Sequence, residues 1–304
     1  MQTPGELATE RRAAEPSRAD TAVERLDPVT GDVLMQVMTE LASMMSVLGR
    51  GLAARRIAEI QAHTTALLHQ IARLMIDREV NPWTRLRLTP DEPPASYSPT
   101  AARIGVIPLA ANPIHWGHLL SGLSVMIQAR LDKIVFVITR DSCPDGDLFP
   151  EELRRGAAAE AIAIFQPLFT LVPGSAGRLQ TGPASFFRLL GLNSQQIVEA
   201  FYVSGYESCA PVSINETIDA LAKEGKASFG QSGRLHRVSI VRIGTGAGET
   251  PALSDARVLV VPSSLPGFSD GTVLTALRSS QRREELAALP ACVFRHLRML
   301  SAFD

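Results

Sequence analysis

From Arg103 to the C-terminus, short apolar runs alternate with segments of helical periodicity, and this alternation constrains the fold more than any other feature. The apolar runs are Ile104–Leu109, Ile134–Ile138, Leu168–Val172, Ala200–Ser204, Val238–Ile243 and Val258–Pro262. The helical patterns between them lie near 117–130, 151–165, 184–190 and 213–224. Strands alternating with helices predict an α/β domain over residues 103–304, a doubly wound parallel sheet with helices on both faces. Ligands of such sheets bind beyond the C-terminal strand ends, near the point where strand order reverses.

The segment upstream of this domain predicts a helical hairpin over residues 29–80. Apolar residues from Leu34 to Leu52 recur at spacings of three and four, and a second stripe runs from Ile57 to Leu74. This periodicity is typical of amphipathic helices that pack on each other or on a partner, so the hairpin is a candidate contact for a homo-oligomer. Residues 1–28 are polar and predict a disordered tail.

A proline-rich segment, 81–102, follows the hairpin. Its prolines exclude a regular helix or central strand, which predicts a linker or a wrapping segment. We expect it to mark a domain boundary and to separate two cores.

Composition excludes several function classes. The chain has 304 residues, of which 45% are apolar and 20% charged, enough for a full core without disulfides or a structural metal. The net charge of −1 leaves no overall positive potential that would attract nucleic acid. Three cysteines without a CxxC or zinc pattern indicate unpaired cytosolic thiols. The longest uncharged stretch contains prolines and histidines, which disfavours a membrane span. These features predict a soluble, cytoplasmic protein that binds neither nucleic acid nor membrane.

The chemically most informative segment joins the first predicted strand to the first predicted helix. It contains Asn112, Pro113, His115, Gly117 and His118. A helix N-terminus offers backbone N–H groups and a positive dipole end to phosphate, and two imidazoles add donors. One histidine here would more often be a surface or capping residue, whereas His-x-Gly-His favours a polyphosphate site. A zinc site is disfavoured because no further ligand stands at metal-binding spacing.

Residues 112–118 resemble the N/D-P-x-H-x-G-H signature of nucleotidyltransferases. Three later segments resemble, in the right order, motifs of nicotinate or nicotinamide mononucleotide adenylyltransferases. Phe201–Glu207 is similar to a strand ending in Gly-x-Asp, and Thr275–Arg278 to the end of Ser-Ser-Thr-x-Ile-Arg. Leu289–Val293 is similar to the Val-Pro-x-x-Val that opens the last helix. The likeness covers about 103–300 and implies a Rossmann-like nucleotidyltransferase fold.

The resemblance implies an enzyme of NAD biosynthesis that transfers AMP from ATP to a phosphorylated acceptor and releases pyrophosphate. The acceptor would be similar to nicotinate or nicotinamide mononucleotide, and magnesium would be held by the nucleotide phosphates rather than by a protein metal site. The implied catalytic residues are His115, His118 and Arg278. The implied nucleotide-binding residues are Asn112, Pro113, Gly117, Gly205, Glu207, Thr272 and Thr275. Arg154 or Arg155 is a further candidate phosphate contact.

The chain departs from the family pattern at several positions. Pro108, Leu109, Ala110 and Ala111 occupy the stretch where the family usually carries glycines, just before the Phe of its G-x-F-N-P motif. Val273 and Leu274 replace two serines, and Glu207 replaces aspartate. Two alternatives therefore stay open. One is a cytidylyltransferase, although the Arg-Thr-Glu-Gly-Ile-Ser-Thr stretch of those enzymes is absent. The other is a non-catalytic nucleotide-binding or assembly protein on the same fold, with the N-terminal helices as its working part.

Overall fold

The computed structural model describes residues 27–49, 51–93, 100–139, 148–174, 182–204, 219–224, 226, 236–244, 258–262, 270–278 and 283–299. Its helices are α1 (Pro28–Leu48), α2 (Leu52–Ile76), α3 (Trp116–Ala129), α4 (Glu151–Ala163), α5 (Gly182–Leu192), α6 (Asp270–Arg278), α7 (Arg283–Leu286) and α8 (Ala291–Met299). Its strands are β1 (Ala102–Leu109), β2 (Lys133–Ile138), β3 (Phe169–Leu171), β4 (Val198–Ser204), β5 (His236–Gly244) and β6 (Val258–Pro262). All the predicted strands are confirmed. So are the helices predicted near 117–130, 151–165 and 184–190, and residues 219–224 of the fourth are helical.

The strands form one sheet in the order β3-β2-β1-β4-β5-β6, and every neighbouring pair is parallel. The predicted α/β class with a parallel sheet is therefore confirmed. β1 pairs with β2 as far as Leu109, but its pairing with β4 ends at Val106. The sheet therefore opens between the C-terminal ends of β1 and β4. Pro108 lies in this one-sided stretch, where a residue without an N–H group is tolerated as at a sheet edge.

Apolar side chains fill both faces of the sheet. On one face, Ile107 and Phe136 belong to a large core that includes residues of α1, α2, α3, α4 and α8. On the other face, Val106 and Val135 pack in a smaller core with Phe186 of α5. Strands buried on both faces explain why the apolar runs of β1 and β2 are continuous rather than alternating.

The hairpin does not form a core of its own. α2 packs against α3 and α7, and α1 packs against α8. Val37 and Ile57 lie in the same buried cluster as Leu119 and Leu123 of α3. The expectation of two separate cores is therefore wrong, because the inner face of the hairpin is buried against the helices that cover the sheet. Of the predicted tail 1–28, only Asp27 and Pro28 are described, and they form the N-cap and first residue of α1.

Residues 81–93 of the proline-rich segment wrap along the start of the sheet; of its other residues, 100–102 are described, and Ala102 begins β1. Asn193 pairs with the backbone of Arg87 through both its amide atoms, at 2.9 Å each. The Asp132 carboxylate accepts the N–H groups of Asn81, at 2.8 Å, and Arg103, at 2.9 Å. Burial raises the pKa of the Asp132 carboxyl. The two hydrogen bonds oppose this rise because they stabilise the charged form. Of the two predicted roles, linker or wrap, the described residues support the wrap.

Among the helices in the described ranges, none combines the length and the apolar character that crossing a membrane requires.

Candidate functional site

The β1–α3 junction, residues 110–118, lies at the sheet opening described above. β1, β2 and β3 are added one after another toward one edge of the sheet, whereas β4, β5 and β6 are added toward the opposite edge. The strand order therefore reverses between β1 and β4. The junction leaves the C-terminal end of β1 at this point and leads into α3. In parallel sheets this is the position where ligands bind.

The two histidines of the junction form one local unit. His115 is the N-cap of α3, with extended backbone angles, and His118 is the third residue of the helix. The His115 N–H donates to Nδ1 of His118 at 3.2 Å. The two rings stack with their centroids 3.8 Å apart and their planes at 24°. Because Nδ1 of a neutral His118 accepts this bond, its proton lies on Nε2, which is then a donor.

Both imidazoles are enclosed. His115 is 1% exposed and His118 is 2% exposed. The ring stacking and the hydrogen bond from the His115 N–H to His118 Nδ1 give this buried pair a defined geometry rather than a set of surface rotamers. The sequence placed both histidines at the start of the helix, where residues three apart lie on one face, but it predicted neither their stacking nor their burial.

Asn112 connects the junction to the segment before α4. Its side-chain oxygen accepts the Phe149 N–H at 2.9 Å, and the residue is 1% exposed. Pro113 and Gly117 are also buried. Ala111 has φ of 52°, in the left-handed region that favours glycine. Ala111, the last residue of the stretch in which the resemblance implies glycines, thus has a backbone conformation that favours glycine.

Arg154 of α4 holds the surrounding backbone together. Its Nε donates to the Phe149 carbonyl at 3.0 Å, and its guanidinium donates to the carbonyls of Thr139, at 3.1 Å, and Ala110. The end of β1, the residue after β2 and the segment before α4 are therefore tied to one buried cation. Arg154 was predicted as a candidate phosphate contact. In the structure its guanidinium binds these three backbone carbonyls.

Arg155, the other candidate phosphate contact, also has protein partners. It pairs with Glu151 at 3.1 Å and donates to the Val172 carbonyl at 3.1 Å. Both arginines of this pair thus bind oxygen atoms of the protein itself, and both help to fix the position of α4.

The turn between α7 and α8 covers the N-terminus of α3. The N–H of Trp116, the first residue of α3, donates to the Ala288 carbonyl at 2.8 Å. The Trp116 ring is fully buried and packs edge-to-face on Phe165, with centroids 6.3 Å apart. The N–H groups at the start of this helix were predicted to bind phosphate. One of them, that of Trp116, instead donates to a backbone carbonyl of the protein.

Glu40 of α1 links the hairpin to this turn, and sequence analysis did not single it out. Its carboxylate accepts the Cys292 N–H at 2.6 Å, near the start of α8, and lies 3.5 Å from Arg295. A carboxylate at a helix N-terminus stabilises the unpaired N–H groups there. Burial, with Glu40 alongside, raises the pKa of the Cys292 thiol well above its usual range. The signal in the sequence was a carboxylate in the middle of a largely apolar helix, whose other carboxylate, Asp32, lies near its start.

The remaining predicted residues lie elsewhere or outside the described ranges. On α6, Thr275 and Arg278 are exposed and Thr272 is partly buried, and their spacing of three places them along one face. Val273 is fully buried and Leu274 nearly so, and Val273 belongs to the large core. The two positions that carry serine in the family pattern thus serve packing here. The predicted residues Gly205 and Glu207 lie outside the described residues, as do Cys143 and Cys209. In the described ranges, no group of three His, Cys, Asp or Glu is arranged to hold a metal ion.

No protein-family model matches the chain, and no curated protein matches it significantly.

Proposed function

We propose that the protein is a nucleotidyltransferase that transfers AMP from ATP to a phosphorylated acceptor similar to nicotinate or nicotinamide mononucleotide. The observation that carries the proposal is the stacked pair of His115 and His118 at the start of α3, beside the reversal of strand order. This combination brings two potential donors to the edge of the sheet where nucleotides bind in parallel α/β folds.

The finer fold assignment is part of the same proposal. The order β3-β2-β1-β4-β5-β6, with apolar cores on both sheet faces, supports a doubly wound, Rossmann-like arrangement. A place in cytoplasmic NAD biosynthesis belongs to the proposal as well and rests on the resemblance of the motifs.

In the proposed reaction a phosphate oxygen of the acceptor attacks the α-phosphorus of ATP, and pyrophosphate leaves. Such transfers require positioning and stabilisation of developing charge more than covalent chemistry by the protein. His118 would donate from Nε2 to a phosphate oxygen, since its Nδ1 accepts the His115 N–H. Arg278 would bind the leaving pyrophosphate bidentately, with Thr272 and Thr275 on the same face of α6. Magnesium would be held by the nucleotide phosphates and water.

The other proposed nucleotide contacts come from the β1–α3 junction and from β4. Asn112, Pro113 and Gly117 belong to the junction, and Gly205 and Glu207 follow β4 in the sequence. Since both imidazoles are enclosed, ATP binding in this proposal has to be accompanied by a movement that exposes them.

A second candidate function is favoured by a specific observation. The histidine rings are almost fully buried, and the first N–H of α3 already donates to Ala288. Both facts fit a non-catalytic protein in which the histidine pair organises the start of α3. Such a protein would bind nucleotide without turnover, or would serve assembly through its N-terminal helices.

Pyrophosphate release separates these candidates. We expect release from ATP, not CTP, in the presence of nicotinate or nicotinamide mononucleotide or a related phosphorylated acceptor. A preference for CTP would instead indicate cytidylyl transfer. An increase in melting temperature with ATP but no pyrophosphate, across a panel of acceptors, would indicate the non-catalytic protein. If ATP neither raises the melting temperature nor releases pyrophosphate, nucleotide binding itself is contradicted.

Two variants test the assigned roles. His118→Ala should lower turnover by about 10²–10³-fold, the range for loss of one preorganised donor, with a much smaller change in ATP affinity. Arg278→Lys keeps the charge and removes the planar fork, so a bidentate contact predicts a clear loss of turnover. Turnover equal to the parent in both variants would reduce the histidine pair to a helix cap.

A further inference from the structure

Helix α1 carries a second row of uncharged residues beside the row that faces the core. This outer stripe consists of Met35, Met38, Ala42, Met45 and the C-cap Gly49, which alternate at spacings of three and four. Met45 also packs against the edge of the large core, whereas Met35, Ala42 and Gly49 are exposed. That is the spacing of the contact residues in a helix–helix seam. The inner stripe, which faces the core, is distinct and consists of Val33, Val37, Leu41 and Met44. A helix with two apolar stripes has a second surface that is stabilised by burial.

The outer stripe borders a groove between α1 and α2 with a volume of about 660 Å³. Leu41 and Ile57 form its floor and are 3% and 1% exposed. Met38 and Gln61 are among its lining residues, and every residue lining it is uncharged. At the end of the groove, a Cβ added to Gly49 would meet no atom within 4 Å. The groove is therefore apolar at its floor and open at the α1–α2 turn.

We propose that this groove receives α1 of a second copy of the chain, in an antiparallel pair whose two-fold axis passes near Ala42. Met35 and Gly49 both lie seven residues from Ala42, so Met35 of one copy meets Gly49 of the other. Met35 is 68% exposed in the single chain, and the space above Gly49 is open. A large flexible side chain thus faces a gap, at both ends of the pair at once.

The small residue at the centre of the stripe fits the same arrangement. Ala42 faces its own copy on the axis, and two alanines allow the helix backbones to approach closely. The hairpins of the two copies then form a four-helix bundle, in which antiparallel packing is common. An isologous contact of this kind closes after two copies and leaves no end for further growth.

Charge favours the antiparallel direction. The outer stripe carries no charge, so the seam itself brings no like charges together. Asp32 lies ten residues before Ala42, so in the antiparallel pair it reaches past the C-terminal end of α1 of the other copy, toward the α1–α2 turn. The helix that begins after this turn, α2, carries Arg55 near its start. The Arg55 side chain is 85% exposed and pairs only at the surface with Glu59. A parallel pair would instead bring Asp32 against Asp32, which is unfavourable.

Sedimentation velocity of the full chain at micromolar concentrations tests the proposal. The parent should sediment as a dimer, and Ala42→Glu should sediment as a monomer because it places two carboxylates on the axis. Gln36→Glu is the matched control: at 100° per residue, Gln36 lies on the side of α1 away from the outer stripe. It should remain a dimer, and circular dichroism should show all three proteins folded. A parent that stays monomeric, or a dimeric Ala42→Glu, overturns the proposal.

Disulfide formation provides an independent measurement that does not depend on the folding of Ala42→Glu. Two copies of Ala42→Cys should cross-link across the axis under mild oxidation and run as a dimer on a gel without reductant. Gln36→Cys should not, and the native cysteines are common to both variants. Equal cross-linking of the two variants, or none in either, contradicts the proposed axis. The inference does not rest on the proposed function, since it involves only the hairpin.

Discussion

The outer stripe of α1 and the β1–α3 junction distribute polar and apolar groups in opposite ways. In the outer stripe an apolar side chain, Met35, is 68% exposed. At the junction two polar side chains, His115 and His118, are 1% and 2% exposed. An exposed apolar row indicates a surface that gains stability by association. A buried polar pair indicates a geometry fixed by its surroundings, here by ring stacking and one hydrogen bond to His118 Nδ1, at the cost of desolvation.

The two regions also differ in what holds them. The outer stripe lies on a regular helix, whose shape follows from its own sequence. The junction is irregular backbone that depends on contacts with distant segments, such as those of Arg154 with Ala110 and of Phe149 with Asn112. A single substitution on the outer stripe should therefore leave the fold of the chain intact. A single substitution at the junction should disturb the distant segments that contact it.

Deletion of residues 1–80 should have the largest effect, because it removes the inner stripe of α1 along with the outer one. The large core includes Val37, Ile57 and Leu68 of the hairpin, and their loss exposes the apolar faces of α3 and α7. We expect an aggregated or unfolded product, measured by solubility and circular dichroism. Deletion of residues 1–26 is the control, since it removes no residue of the hairpin. A soluble, cooperatively folding 81–304 fragment would show that the hairpin is dispensable for the core.

Arg154→Met should cost about 3 kcal/mol or more of unfolding free energy, because it leaves several buried carbonyls without their donor. Arg155→Met is the matched control on the same helix. It loses a partly exposed ion pair and one backbone bond, so its cost should be about 1 kcal/mol. Denaturation by urea compares the two. Equal costs would mean that the buried contacts of Arg154 are not what fixes the junction.

Glu40→Ala should cost about 1 kcal/mol, the usual value of a helix cap. Glu40 connects the two regions, since it lies on α1 and accepts the N–H of Cys292 at the start of α8, next to the turn that covers the N-terminus of α3. Thr39→Ala, at an exposed neighbouring position, is the control. The melting temperature measures both. Removal of Glu40 should also increase alkylation of the Cys292 thiol, whose pKa the nearby carboxylate helps to raise. An unchanged melting temperature would indicate that solvent replaces the cap.

Ala111→Gly should have the smallest effect and sharpens the comparison at single-residue resolution. It relieves a left-handed backbone but loses a buried Cβ, two effects of about 1 kcal/mol each that oppose one another. Ala110→Gly loses its Cβ without that relief, since Ala110 has no positive φ. We therefore expect Ala111→Gly to be the more stable variant by about 1 kcal/mol. The reverse order would show that the positive φ at Ala111 carries no cost.

Local patterns predicted the elements of this fold well. The continuous apolar runs of β1 and β2 predicted strands buried on both faces, and the spacing of residues in α1 and α2 predicted the hairpin. The same patterns failed to predict what the hairpin packs against. Periodicity shows which face of a helix is apolar but not which neighbour covers it. The prolines of 81–102 predicted a boundary between two cores, whereas the hairpin and the α/β domain share one core.

The candidate site was predictable only in its local part. His115 and His118 are three residues apart at a helix start, so their contact follows from helix geometry. Arg154 was predicted as a candidate phosphate contact, but it binds the carbonyls of Thr139 and Ala110, which are distant in the sequence. No spacing within the sequence encodes such a partner. Glu40 was missed for the same reason, since its partner Cys292 lies at the other end of the chain.

The sequence by itself determined the parallel α/β class, the order of elements along the chain and the position of the histidine pair after the first strand. Each of these depends on side chains within a few residues of one another, where backbone geometry fixes the relation. Only the tertiary structure decided the burial of that pair, the carbonyl contacts of Arg154 and the merging of the hairpin with the core that covers the sheet. These depend on which distant surfaces meet, because the free energy of burying a group is set by all its neighbours and not by its own segment of chain.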